Sequence, residues 1–572
     1  MNYTKISKKA KKVFGVDVSV KETERSIVLG GVCNNWQDFV AIGKMFVDKT
    51  GKRHVVNDLV VKDLPQEHTQ KPLLTDNKLA DTHWDVVIVG GGISGCAVAR
   101  ELSKYNLKIL LCEKHGDVAH GASGANDGLV HAGIDLKHNC KKLYYVTRGN
   151  AMYADVCREL GVDFVREGQY VVFTSRLIKF FARSYLKRAK KHNIPGVEMI
   201  SKKEICALEP CVKDFAVGAL KVASTGAVSP YKLTIAYAEN AVQNGATVSL
   251  DTIVTGMVVE QGKIAQVHTN RGTVYAKCVI NCAGVFADKV AEMADDRYFS
   301  IHPRKGTDLL MDANGQGLPQ HAISLAPTLK TLKQNKNTKG GGIIKTVDGN
   351  ILLGPDAIET PLREDVSTTA QSVNTVFAKQ HLCCPSMQKS DIIAYFSGVR
   401  APTYEEDFIL ERSTKVKNFV HVAGIQSPGL TAAPAFAADV AQLTLDFFAE
   451  EGIAVSTNPN FNPIRPKPVC TKDLSPKQLD EVIKQNPDFG KIVCRCEQVS
   501  LGEVKQAINN PLGVATIDGV KRRVRAGMGR CQGGFCMPLV AKTIAEQKGI
   551  AYYEVEKGDV GSYIAIGNLK ES

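Results

Sequence analysis

The chain has 572 residues, 44% hydrophobic and 23% charged, the composition of a globular protein of several domains rather than of a disordered or fibrous one. Its formal net charge of +13 suits an anionic substrate, an acidic redox partner or a membrane surface; the basic residues are scattered, with no zinc-finger or RNA-binding signature, which argues against nucleic acid. No stretch has the apolar length of a bilayer span, and the start MNYTKISKKAKKVFGVDV lacks the apolar core and cleavage site of a secretory signal, so the expected location is cytoplasmic.

Residues 1–65 read as a small α/β module of order α-β-β-α-β: a basic amphipathic start, the alternating run DVSVKETERSIVLGGV, a helical NWQDFVAIGKMFVDKTG and a strand in RHVVNDLVVKD. The ending VVNDLVVKD resembles that of a BON domain, and this resemblance with the basic KISKKAKK implies weak peripheral contact with the inner face of a membrane. A solvated basic helix is the plainer reading of that run. The polar stretch over 66–83 reads as a linker.

At Trp84 the pattern changes. WDVVIVGGGISGCAVARELSKYNLKILLCEK predicts a buried strand, a glycine turn, a helix and a second strand. Gly90, Gly92 and Gly95 fit G-x-G-x-x-G in that context, and Glu113 closes the second strand at the distance expected of a ribose-binding carboxylate. The glycines serve a tight turn, close approach to a pyrophosphate and helix-on-strand packing, and the helix N-terminus adds partial positive charge. The fingerprint alone does not separate NAD from FAD.

The segments that follow do. GASGANDGLVHAGIDL (121–136), VINCAGVFADKV (279–290), IHPRKGTDLLMD, VDGNILLGPD, YFSGVRAPTYEEDFIL and HVAGIQSPGLTAAPAFA resemble, in order, the FAD-wrapping segments of the D-amino-acid-oxidase-like superfamily. The resemblance implies one body over 84–450, in which a Rossmann-type FAD domain is interleaved with a β-sheet substrate domain that covers the flavin. It implies that Ser123, Ala125 and Asn126 lie along the FAD, with Ala283 and Gly284 in the second segment. Gly424, Gly429 and Leu430 would close over the ring, and His131 would sit near it.

The proline-rich STNPNFNPIRPKPVC marks a second linker, 451–472, before a small helical module over 473–572. The chain holds 16 cysteines, too many for one function in a reducing compartment, so spacing must sort them. Cys494, Cys496, Cys531 and Cys536 give C-x-C and C-x4-C; by count they would ligate zinc or a [2Fe–2S] cluster, and C-x-C is tighter than the usual zinc knuckle. The segments VCRCEQVSLGEVKQAINN and ATIDGVKRRVRAGMGRCQGGFC resemble the bacterioferritin-associated-ferredoxin type of [2Fe–2S] domain. The neighbouring Lys521, Arg522, Arg523 and Arg525 are expected to offset the thiolate charge. Cys96, Cys112 and the pair Cys383 and Cys384 read as inert buried thiols.

The whole layout, α/β and α+β in several domains, resembles the flavin-dependent glycerol-3-phosphate dehydrogenases of the anaerobic type and, more distantly, L-2-hydroxyglutarate dehydrogenases. It implies oxidation of a small anionic alcohol, with electrons leaving through the cluster to a partner flavoprotein or a quinone. Arg400, in SGVRAP, matches the substrate-binding arginine; His131 and His302 are the candidates for the base, and Lys305 for a further anion contact. One departure is Gln426, where the phosphate-ester enzymes carry lysine, which keeps a 2-hydroxy acid open as substrate. The reading of another class is an electron-transfer or scaffolding component whose partner does the chemistry.

Overall fold

The computed structural model describes residues 2–64, 71–313, 315, 317–327 and 341–567. Within the first predicted linker, 66–70 lie outside the described residues.

The N-terminal module has the expected element order: α1 (Tyr3–Phe14), β1 (Ser19–Glu22), β2 (Ser26–Cys33), α2 (Trp36–Met45) and β3 (His54–Val61). Asn2 caps α1 by accepting from Lys5 N at 3.0 Å, and Gly15, at φ 71°, ends it in the left-handed region. β2 pairs antiparallel with β1 and parallel with β3, and Ile27, Leu29, Ile42 and Phe46 are fully buried beneath the helices. This small core is completed from outside. Tyr404 of the main body packs into it, its hydroxyl accepts from Asn57 Nδ2 at 2.7 Å, and Glu405 accepts from Val55 N at 2.8 Å.

The body is built on two sheets. In the first, eight-stranded among the described residues, β4 (Thr82–Val89) lies parallel between β5 (Ile109–Cys112) and Gly272–Asn281, and Phe419–Ala423 adds parallel to the latter. Such strands are covered on both faces and read as continuous apolar runs; Val86, Val87 and Ile88 are fully buried. α3 (Ile93–Leu102) follows β4 and packs beside the helices Pro230–Gln243 and Gly429–Glu450. The second sheet, nine-stranded and mostly antiparallel, sets Arg304–Met311 against Ile392–Arg400, with Arg304 opposite Arg400 in register. α4 (Lys141–Leu160) and α5 (Arg176–Lys191) bracket the crossover between the two.

The proline-rich stretch predicted as a linker is a fixed strap. Asn106 N bonds to Ser456 O at 2.9 Å, Arg465 N to Glu159 O at 2.8 Å, and the Arg465 guanidinium pairs with Glu239 at 2.6 Å. The C-terminal module opens with the helix Pro476–Gln485 and then packs Leu501–Ile508, Ile517–Val524 and Met537–Lys548 around their own buried apolar cluster. Among the described residues no helix is long and apolar enough to cross a membrane.

Candidate active site

The glycine turn sits at the carboxyl end of β4, where ligands enter parallel sheets. Gly90 is at φ 107°, and a Cβ there would lie 2.6 Å from the carbonyl oxygen of Cys282. Gly95 packs its bare Cα against the Gly90 carbonyl, bringing α3 onto the strand. Gly92 is the N-cap of α3 and offers no side-chain oxygen; Ser123 does so instead, its Oγ accepting from Ile93 N at 2.9 Å. Glu113 is 7% exposed and accepts from Gly91 N at 2.6 Å and His115 N at 3.0 Å. A helix N-terminus, a glycine loop and a carboxylate therefore meet at one edge.

They open into a cavity of about 1670 Å³, larger than the roughly 300–1,000 Å³ of ordinary small-molecule sites. Gly90, Gly92, Glu113, Ser123, Ala125 and Asn126 line one side of it; Ala283, Gly284, Gly429 and Leu430 line it further along. Asn126 is spent on its own loop, donating to Ala122 O at 2.9 Å and accepting from Gly128 N at 2.9 Å, so it shapes the wall. Gly424 is not on the wall: at φ 66°, with Asp407 O 2.8 Å from where a Cβ would stand, it lets the strand turn into the segment that is. These residues form one continuous cradle that fits a dinucleotide.

Arg400 and His131 also line the cavity. Arg400 is held through Nη2 by the carbonyls of Asp356 and Lys305, and among the described residues no carboxylate lies within ion-pair distance of it. Beside it Asp308, 2% exposed, leaves Oδ1 without a hydrogen-bond partner. Burial and the neighbouring Asp127 push its carboxyl well above the usual carboxylate range, against the pull of Arg400. Among the described residues the His131 imidazole has no hydrogen bond; the backbone on either side is fixed, N to Thr431 Oγ1 at 2.9 Å and O to Asn150 Nδ2 at 2.9 Å.

Two expectations are corrected. His302 is fully buried and off the cavity wall: its Nδ1 meets Glu359 at 2.9 Å, its Nε2 meets Thr403 O at 3.3 Å, and its ring packs 4.7 Å from that of Tyr404. It is a satisfied core histidine, two residues ahead of the strand Arg304–Met311, where Glu359 and the Thr403 carbonyl take both ring nitrogens. Lys305 likewise points away, paired with Asp365 at 2.7 Å. Sequence reasoning overlooked Arg304, which does line the cavity, pairs with Glu406 at 2.5 Å and Glu359 at 3.1 Å, and lies 3.5 Å from Gln426 Oε1. Its antiparallel register with Arg400 was the missing signal, since that pairing joins residues far apart in the chain.

In the C-terminal module the four cysteines form two pairs. Cys496 Sγ lies 3.6 Å from Cys531 Sγ on the surface, while Cys494 and Cys536 are buried and hydrogen-bonded to each other. The bond from Cys536 holds the Cys494 thiol below its ordinary value, and the backbone N–H of Gly527 adds to this against burial. Gly527 and Gly533, at φ 93° and 88°, make the turns that bring the loop amides inward. A single zinc would need all four sulfurs about 3.8 Å apart. Among the described residues no three of them come within 4.8 Å of one another. Two separated pairs fit a two-iron cluster instead.

The basic run beside them is not arranged for the thiolates. Arg522 and Arg523 both reach the buried Asp117 of the body, at 2.9 and 2.8 Å, and Arg525 pairs with Glu497 at 2.7 Å and Asp348 at 3.0 Å. These side chains dock the module, and the expected role in offsetting cluster charge is replaced by one in assembly.

A Rossmann-type cradle beside a sheet-covered pocket, joined to a two-pair cysteine module, defines a flavoprotein oxidoreductase with an attached iron–sulfur domain. The profile of the FAD dependent oxidoreductase family matches residues 85–443, and the chain belongs to that family. A second profile, the BFD-like [2Fe-2S] binding domain, matches 492–546, so FAD and a [2Fe–2S] cluster are its cofactors. A glycerol 3-phosphate dehydrogenase of Caloramator mitchellensis is 37% identical over 489 residues, 85% of this chain and 99% of that one. One component of the anaerobic glycerol-3-phosphate dehydrogenase of Escherichia coli K12 is 26% identical over 79% of this chain and 86% of its own. The dithionite-reduced L-alpha-glycerophosphate oxidase of Mycoplasma pneumoniae, solved with FAD bound, superposes with a TM-score of 0.62 at 28% identity, covering 67% of this chain and 98% of its own.

Proposed function

We propose that the protein is a dehydrogenase of sn-glycerol 3-phosphate, forming dihydroxyacetone phosphate and passing the electrons on to a partner flavoprotein or a quinone. The observation that carries this is Arg400: a guanidinium on the wall of the cavity with no carboxylate paired to it among the described residues is a ready seat for an anionic substrate group. The names of the relatives point to the same substrate, and Arg304, beside Gln426 where lysine is absent, is already spent on Glu406 and Glu359, which leaves Arg400 to meet the anionic group.

Oxidation of C–OH to C=O removes a proton and a hydride. Bound FAD supplies the two-electron acceptor, and the cluster a one-electron outlet. Gly90, Gly92 and Ser123 present the helix N-terminus to the diphosphate, and Glu113 accepts from the ribose. Arg400 orients the substrate by its phosphate. His131, whose ring has no hydrogen bond among the described residues, takes the hydroxyl proton. Burial and Asp127 disfavour the charged form of Asp308, which weakens its competition with the substrate for Arg400.

In this reading 1–65, 84–450 and 473–572 act as three units, the first retains its resemblance to a BON domain, and the protein is cytoplasmic with peripheral contact at the inner face of the membrane. The test is anaerobic stopped-flow bleaching of the flavin by glycerol 3-phosphate and by L-2-hydroxyglutarate, side by side. Fast bleaching by the phosphate ester is expected. Bleaching by the hydroxy acid alone would make Gln426 a substrate switch, and bleaching by neither would favour the scaffold.

A further inference from the structure

α5 has two apolar faces, and the fold uses one. Ala182 and Ala189, 6% and 4% exposed, pack inward with Ile178, Tyr185 and Leu186 against Phe173 and Leu220. The other face carries Leu177, Phe180 and Phe181 at 63%, 61% and 65% exposure, the i, i+3, i+4 spacing of one helical stripe. The two phenylalanine rings meet edge to face at 5.7 Å. Aromatic side chains this exposed are costly in water unless something covers them.

The flanks of that stripe say what covers it. α5, RLIKFFARSYLKRAKK, contains no acidic residue, and Arg176, Arg183, Lys187 and Lys190 stand exposed around the apolar residues. The Arg183 guanidinium lies over the Phe180 ring at 5.7 Å from its centre. A short apolar ridge set among cations matches the boundary between anionic headgroups and acyl chains. A protein partner would need a broad recessed surface to receive a convex ridge.

We infer that α5 docks the protein on an anionic phospholipid bilayer, with Leu177, Phe180 and Phe181 entering the headgroup boundary. Leu177 and Phe181 also line the large cavity, so docking places the lip of that cavity against the membrane. The N-terminal helix, to which the sequence assigned membrane contact, lacks the second requirement. Its Ala10 is buried and Tyr3, Ile6 and Phe14 turn toward the module's own core, leaving Val13 as its exposed large apolar side chain.

The test is cosedimentation of the full-length holoprotein with vesicles of phosphatidylcholine alone or mixed with phosphatidylglycerol, at low and high salt. Binding is expected only to the mixed vesicles, weakening with salt. Phe180→Ser with Phe181→Ser should lower the partition coefficient at least about tenfold, and Arg183→Glu with Lys187→Glu should lower it by a similar factor. Flavin absorbance and the thermal midpoint report whether each variant is folded. The inference is overturned if the folded wild type ignores anionic vesicles at low salt, or if folded α5 variants bind like wild type while Lys8→Glu with Lys9→Glu abolishes binding. It is equally overturned if sedimentation velocity shows a dimer that Phe180→Ser with Phe181→Ser dissociates, since the stripe would then be a contact between copies.

Discussion

Arg523 of the C-terminal module donates to Asp117 of the flavin body at 2.8 Å, in a contact where Asp117 is 1% exposed. Asp117 begins the loop Val118–Gly121 that leads to the cavity wall, and Arg522 binds that loop again through Val118 O at 3.1 Å. From the same module's extension, Asp559 accepts from Gly116 N at 2.9 Å and meets His115 Nδ1 at 3.0 Å. The cluster module thus holds the loop that shapes the dinucleotide site. Asp117→Asn takes the anion from buried Arg522 and leaves Arg523 with Glu239 at 3.4 Å, a loss of about 3–5 kcal/mol. A lower thermal midpoint and faster release of FAD on dilution, followed by flavin fluorescence, are expected, with the iron content unchanged.

Arg400→Ala removes from the cavity wall a guanidinium that no carboxylate pairs with among the described residues. A charge-assisted bidentate contact of about 3 kcal/mol corresponds to a fall of roughly 10²-fold in kcat/KM for the anionic substrate. Arg400→Lys should recover part of this, because it keeps the charge and loses the fork. Steady-state kinetics with a dye acceptor read both.

His131→Gln keeps a polar side chain on the wall without a ring nitrogen to take the proton. The rate of flavin bleaching should fall by about 10²–10⁴-fold, and its pH profile should lose the limb belonging to the base. An unchanged profile would place the proton elsewhere.

Cys496→Ser breaks the exposed sulfur pair while sparing the flavin body. Substrate should still bleach the flavin in one turnover, whereas electron delivery to a one-electron acceptor should stop. Iron and sulfide analysis should show the loss of about two of each per chain in the variant.

Glu359 links His302, Arg304 and, at 3.0 Å, Lys44 of the N-terminal module. Burial would raise its carboxyl, but the hydrogen bond and charge of His302, with Arg304, bring it down from 4.5 to about 2. A depressed folded-state value means that the stabilisation, about 3 kcal/mol, is complete above the ordinary carboxylate range and is lost as pH falls toward 2. Glu359→Gln should be less stable than wild type at neutral pH and show a flatter loss between about pH 5 and pH 2 in urea unfolding. Parallel curves would rule this out.

Much of the site was legible because its chemistry is local. Gly90, Gly92, Gly95 and Glu113 lie within one strand-turn-helix-strand unit, where backbone geometry and dinucleotide binding both depend on neighbours in sequence. The four cysteines were legible as a set, but their division into two pairs came from the fold, and that division separates a two-iron cluster from zinc. Lys305 was misplaced because alternation along the strand Arg304–Met311 does not say which face meets the cavity, and His302, just ahead of that strand, because its partners Glu359 and Thr403 are distant in the chain.

By itself the sequence determined the Rossmann unit, the order of the N-terminal elements and the presence of a four-thiol module, since each follows from periodicity, glycine placement or ligand spacing within a short span. Tertiary structure alone decided which cations reach the cavity and which are spent on carboxylates. Arg304 pairs across the sheet with Arg400, and Arg522 and Arg523 cross from one unit to Asp117 of another. Buried charges are settled by the partners that folding brings within a few ångströms, and those partners are far away in the chain.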